Sequence, residues 1–243
     1  EYPKIHKKSR KKLNLNKMKK QSISFAILIA MFFMTENLYS QGNFSLHAGP
    51  SFAISDFGDD DIDDDDAGGA GVGLNIGGKY TFKLNDKGLG LYLGADFNYN
   101  GLKSSYKDDI EDELDDMGAD IDITYFKYIN VPITAGLNFT FKANDQVSLF
   151  GDLGLGADFF KVTNMTMEAD NEELEFNYKL STQLAYKIGG GLLIQDKYII
   201  GLHYNGLGEH NVKGEMKYDG DTEDLDDTKL KVDILTLTFG VRF

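Results

Sequence analysis

The chain has 243 residues and a net charge of −14, and the imbalance is uneven: residues 1–41 hold nine basic and two acidic side chains, so residues 42–243 carry −21. Binding a phosphate backbone takes clustered Lys and Arg, which excludes nucleic acid as a main partner. The absence of Cys excludes a disulfide scaffold, thiolate chemistry, Cys-ligated zinc and lipid attachment through a leader cysteine.

Residues 1–17 are rich in Lys and precede Met18; the expectation is a misassigned upstream segment. From Met18 a short charged stretch leads into an apolar run from Ile23 to Met34, the layout of a signal peptide over 18–41, with the cut near Gln41. The run is too short to span a bilayer as a helix, which takes about 20 residues. One domain is expected over 42–243.

From residue 42 onward the apolar residues recur every second position, as in strands with one greasy face and one polar or glycine face. Phe44, Leu46, Ala48, Pro50, Phe52 and Ile54 form the first such set. Val72, Leu74, Ile76, Tyr80 and Phe82 form the second, and Leu89, Leu91, Leu93, Ala95, Phe97 and Tyr99 the third. The fourth run, from about Ile121 to Phe141, sets Ile129, Val131, Ile133, Leu137 and Phe139 against Asn130, Thr134 and Asn138. Runs over 147–162, 176–194, 198–207 and 231–243 follow the same rule less cleanly. No helical stripe of comparable length competes with them.

The connections alternate in length. Asn85–Gly88, 143–146 and Asp196–Lys197 carry tight-hairpin residues, whereas 56–69, 102–120, 163–175 and 208–229 are long. All long loops therefore leave from one end, and the fold expected is all-β, an eight-stranded up-and-down antiparallel transmembrane β-barrel. Counted over 56–66, 101–122, 161–179 and 208–229, the long loops also hold 30 of the 39 carboxylates. That leaves few charges for the wall, where one facing lipid at mid-depth costs about 2–4 kcal/mol.

A soluble barrel that carries apolar ligands has the same strand count, so the orientation of the two faces decides the class. The polar face holds Lys79, Lys83, Asp96, Asp152, Asp158 and Lys187, expected as charge pairs in a narrow packed lumen. The apolar face ends in aromatics: Phe44, Tyr80, Phe82, Phe97, Tyr99, Tyr125, Phe139, Phe141, Phe159, Tyr178 and Tyr198, the pattern of interfacial girdles. The last strand ends on Phe243, like the signal read by the outer-membrane insertion machinery. These features favour an outer-membrane barrel of a Gram-negative cell over a secreted carrier. Pro50 and Pro132 each remove a ladder donor inside a strand, so a bulge or a strand rim is expected at both.

The segment Tyr128-Ile-Asn-Val-Pro-Ile-Thr134 resembles the "Tyr-Leu-Glu-Ile-Pro-Leu" segment of small Bacteroidetes outer-membrane barrels, the PorT-like group. Ile188–Ile194, Tyr204-Asn-Gly-Leu-Gly208 and Thr238–Phe243 are similar to further segments of that group, with Asn130 in place of its usual acid and His203 in place of its usual Arg. The resemblance implies the same barrel and accounts for Pro132. It supplies no catalytic motif, and a link to protein secretion would be analogy alone.

Three kinds of chemistry compete for the remaining residues. Gly68–Gly73 lacks the helix that a phosphate loop requires. Asp59, Asp60, Asp61, Asp63 and Asp64, with Asp219 and Asp221, could hold Ca²⁺ or Mg²⁺ loosely, bridging the loops to lipopolysaccharide, although neither run matches an EF-hand and a solvated loop is the simpler reading. His47 and His203 fall on the inward face and His210 in a loop, but no Ser/His/acid spacing is recognisable, which argues against a lipid-modifying enzyme. The function expected is structural or interactive, through long acidic loops and without catalysis or a resident cofactor. Membrane lipid, lipopolysaccharide, the insertion machinery and a protein at the loops are the expected partners.

Overall fold

In chain order the elements are β1 (Gly42–Ile54), β2 (Ala70–Lys83), β3 (Leu89–Leu102), helix α1 (Ser104–Asp116), β4 (Asp122–Thr124), β5 (Tyr128–Lys142), β6 (Val147–Val162), β7 (Met165–Ala169), β8 (Glu172–Tyr178), β9 (Ser181–Ile194), β10 (Tyr198–Val212), β11 (Gly214–Tyr218), β12 (Asp221–Asp224) and β13 (Thr228–Arg242). They come from a computed structural model that describes residues 42–62, 67–116, 121–169 and 172–243. The segments 1–17 and 18–41 lie outside the described residues, as do Asp63 and Asp64.

Eight strands close a barrel in the order β1-β13-β10-β9-β6-β5-β3-β2, all pairs antiparallel. The three short turns form as their residues dictate. Asn85 Oδ1 accepts from the Lys87 and Leu89 N–H groups at 2.9 and 3.2 Å. Asn144 Oδ1 does the same for Gln146 and Val147 at 2.8 and 2.9 Å. In an outer-membrane barrel the short turns face the periplasm; that end is called the inner end below.

Alternation puts the greasy face outside. Leu74, Leu91 and Ile133 are 47%, 44% and 44% exposed, while their strand neighbours Asn75 and Thr134 are buried. An apolar-ligand carrier needs the opposite arrangement, so that alternative fails. Phe82, Phe139, Phe141, Tyr198 and Phe243 project outward around the inner end, with Phe44 stacked on Phe243 at 6.4 Å. Tyr125 and Tyr178 depart from the expected girdle. Both pack against a buried cluster at the outer end, because the chain around them belongs to a cap and not to the wall.

Neither proline produces a bulge or a rim. The β1–β13 ladder lapses between Ala48↔Phe239 and Ser51↔Thr236, and the β3–β5 ladder between Ala95↔Ile133 and Asn98↔Asn130, each resuming in unchanged register. Each ring therefore costs one local stretch of one ladder while the other side, Pro50↔Leu74 or Pro132↔Asp158, stays paired.

The long connections are structured. Phe57, in a 3-10 turn over Ser55–Gly58, enters the outer mouth and meets Tyr128 edge-on at 4.9 Å. Tyr128 stacks on Phe160 at 5.8 Å and donates its hydroxyl hydrogen to the Gly68 carbonyl oxygen at 2.5 Å. Together with Leu207, Leu230, Val232 and Ile234 these rings form the main buried apolar cluster, a plug across the outer end. Above it β12-β11-β8-β7-β4 form a second, five-stranded sheet. Helix α1 departs from the sequence expectation of a loop; Tyr106, Ile110 and Leu114 at fourth positions give it a stripe just three residues long among carboxylates.

Candidate functional site

The barrel strands run 13–16 residues, longer than the ~9–11 a tilted strand needs to cross a bilayer. Alternation therefore builds two stacked lumen regions, one ionic and one apolar.

In the ionic region Lys79 Nζ donates to Asp152 Oδ2 at 2.6 Å and Lys187 Nζ to Asp96 Oδ2 at 2.7 Å. The second oxygen of each carboxylate is also held, Asp152 Oδ1 by the Asn138 amide at 2.7 Å and Asp96 Oδ1 by His47 Nε2 at 2.7 Å. His203 Nε2 approaches Asp152 Oδ2 at 3.4 Å. Asp96 and Asp152 are 5% and 4% exposed, so removing either partner would strand a buried charge. Gly77 makes the approach possible: a Cβ there would sit 2.2 Å from Asp96 Oδ1 and 2.5 Å from His47 Nε2. Further up, Asn75 donates to Asn98 at 2.8 Å and Ser51 to Asn100 at 3.1 Å, continuing the polar bore without charge.

Of the six charged residues expected as lumen pairs, the structure joins four into two pairs. Lys83 is a correction: it lies exposed at the inner mouth and makes no ion pair among the described residues. The cavity there is open to solvent, and no carboxylate of the neighbouring strands forms an ion pair with it. Asp158 is a second correction, since its partner is His210, Nε2 to Oδ2 3.2 Å, and not a lysine. Both side chains are fully buried.

The sequence pattern puts His210 in a loop, but β10 continues to Val212. Register against β13 shifts between Gly206 and Gly208, where Gly208 takes φ +91°. Such a bulge adds one residue and reverses which parity faces inward, so His203 and Asn205 point in below it and His210 above it. The signal was present as Gly206-Leu-Gly208.

This bulge also assembles a Ser/His/Asp set that spacing alone does not reveal. With His210 Nε2–H donating to the Leu207 carbonyl oxygen at 3.0 Å, Nδ1 is left to accept from the Ser181 hydroxyl at 3.2 Å. Nε2 also lies 3.2 Å from Asp158 Oδ2 without a hydrogen bond to it, and the ring lies 4.7 Å from that of Phe160 inside the plug. A hydrolase needs its base open to substrate; this histidine is enclosed, hydrogen-bonded to Ser181 and the Leu207 carbonyl beside the buried Asp158 carboxylate.

Among the described residues no group of three or more His, Cys, Asp or Glu side chains could hold a metal ion. Asp60 accepts from Ser105 and from Lys103 Nζ, the latter at 3.0 Å, and these hydrogen bonds hold its carboxyl below the usual Asp range. Asp59 Oδ1 accepts from the Asp61 N–H at 3.1 Å. Asp219 and Asp221 sit exposed in and beside the β11–β12 turn.

The cap sheet is two-faced. Across its ladders Ile123, Met167, Leu174 and Tyr218 align in one row, and Thr124, Thr166, Glu175, Lys217 and Thr222 in the row behind. Its edge strand β12 is exposed along its length and carries Asp221, Glu223 and Asp224.

Residues 24–243 match the family described as "Outer membrane protein beta-barrel domain". Among solved structures, a major outer membrane protein from Thermus thermophilus is similar at 14% identity, covering 83% of this chain and 99% of that one, with a TM-score of 0.51. Ail, the attachment invasion locus protein of Yersinia pestis, is similar at 20% identity over 84% and 99%, TM-score 0.42. OprG from Pseudomonas aeruginosa is similar at 13% over 84% and 96%, TM-score 0.40. A search of curated proteins found no match.

Proposed function

Since the chain belongs to the outer membrane protein β-barrel domain family and sits in the outer membrane, we propose that it is a non-catalytic anchor that presents the cap sheet and its acidic surroundings to a partner outside the cell. The observation that carries this reading is the cap itself. Its Ile123–Tyr218 row and carboxylate-bearing edge strand stand above a plugged barrel. A positively charged protein partner fits such a surface. Like charge opposes a second copy of this chain, and the same repulsion means that lipopolysaccharide would reach the loops through divalent cations. The Tyr128–Thr134 and Thr238–Phe243 segments support a place in the PorT-like Bacteroidetes group.

The test shortens the β7–β8 and β11–β12 hairpins to tight turns and compares capture of surface proteins by the shortened and full barrels in lipid vesicles. The reading expects the shortened barrel to stay heat-resistant in gels and to lose its partner. Equal capture by both would defeat it, as would turnover of lipid esters by the full chain that disappears in Ser181→Ala.

A further inference from the structure

The inner mouth opens into a cavity of about 500 Å³, within the range that takes a small solute. Lys79, Lys83, Lys87, Lys142 and Arg242 line it, against the two carboxylates Asp86 and Asp196. That surplus is opposite in sign to the net charge of the chain, −14. Two of the cations are already engaged, Lys79 with Asp152 at the floor and Arg242 Nη2 with Asp196 Oδ1 at 3.2 Å. Lys83, Lys87 and Lys142 make no ion pair among the described residues. They come from β2, from the β2–β3 turn and from β5, so three separate positions bring positive charge to one volume, offset in its lining by Asp86 alone. Asn43, Thr81 and Ser148 add neutral hydrogen-bonding groups to the wall.

A cleft lined by one sign of charge, with low-dielectric walls, concentrates the opposite ion. Above the cavity lie the Lys79–Asp152 and Lys187–Asp96 pairs and then the Phe57–Tyr128–Phe160 plug. A solute entering from the inner end therefore meets a floor, and the cavity is shaped to hold it and not to pass it on.

We infer that the inner mouth is a binding site for a small, multiply charged oxyanion of the periplasm, bearing phosphate or carboxylate groups. The site is independent of the cap and of whatever the cap binds.

The test is calorimetric titration of the full chain, folded in zwitterionic micelles at low salt, with inorganic pyrophosphate and separately with citrate. Saturable one-to-one binding of at least one anion is expected, and the tighter of the two identifies the oxyanion class. Lys83→Gln with Lys142→Gln should weaken it at least about tenfold, by loss of two direct charges, whereas Lys83→Arg with Lys142→Arg should retain it. Both lysines are exposed and unpaired, so the substitutions leave the fold's contacts in place. Lys103→Gln at the outer end should have no effect. Absence of saturable binding of either anion would overturn the inference, and so would unchanged affinity in the double Gln variant or an equal loss in Lys103→Gln.

Discussion

The two ends of this barrel are built from the same eight strands and differ in nearly every other property. The inner end is open, lined by lysines and closed off only at depth by ion pairs. The outer end is filled by aromatic rings, roofed by a second sheet and surrounded by carboxylates. The difference follows from what each stretch of strand must face. Within the bilayer the wall needs apolar residues outside, so ionic groups can be kept only inside and must be paired there. Beyond the bilayer both faces meet water or cap, so inward positions are free to become Phe160 and Leu207, and Phe57 can enter from the first loop.

The largest effect should come from breaking either closure. Lys79→Ala leaves the Asp152 carboxylate buried without its cation, and Phe160→Ala empties the plug; each should lower unfolding stability by about 3–5 kcal/mol in urea titrations of the folded barrel. The two should differ in rescue. Lys79→Met combined with Asp152→Leu should recover much of the loss, since an apolar pair of similar volume often replaces a buried ion pair at little cost. Phe160 has no such partner. A charge on the outer wall, as in Leu153→Arg, should cost about 2–4 kcal/mol in lipid. Gly77→Val, which drives a side chain into the His47–Asp96 contact, should cost about 1–3 kcal/mol. The smallest effect concerns the outer loops. Because the Ser105 and Lys103 hydrogen bonds hold the Asp60 carboxyl below its ordinary value of 3.8, the tie between the first loop and α1 persists at neutral pH. It should loosen only as the pH falls through that lowered value, seen as acid-protease cleavage near Asp60; loosening on raising the pH would contradict it.

Much of the inner half was legible in the sequence, because a two-residue period and tight-turn residues determine face and order together. Lys79, Asp96, Asp152 and Lys187 could be placed inside on parity alone, although parity could not say which would meet. The outer half was legible only in part. β7, β8, β11 and β12 are 4–7 residues long and rich in Glu and Asp, so their alternation is drowned by charge and reads as solvated loop. The extra residue at Gly206–Gly208 reverses the parity on which the reading depends, which hid His210 and with it Asp158's partner. The prolines misled for another reason: a closed barrel can give up part of one ladder if the opposite one holds.

The central claim is a bore open to the inner side and sealed from the outer. Because the chain has no native Cys, single cysteines report access cleanly. In vesicles of known orientation, Thr81→Cys should react with a charged, membrane-impermeant thiol reagent added on the inner side, and Asn205→Cys with reagent from neither side. Reaction of the Thr81→Cys variant with reagent supplied only from the outside would contradict the account.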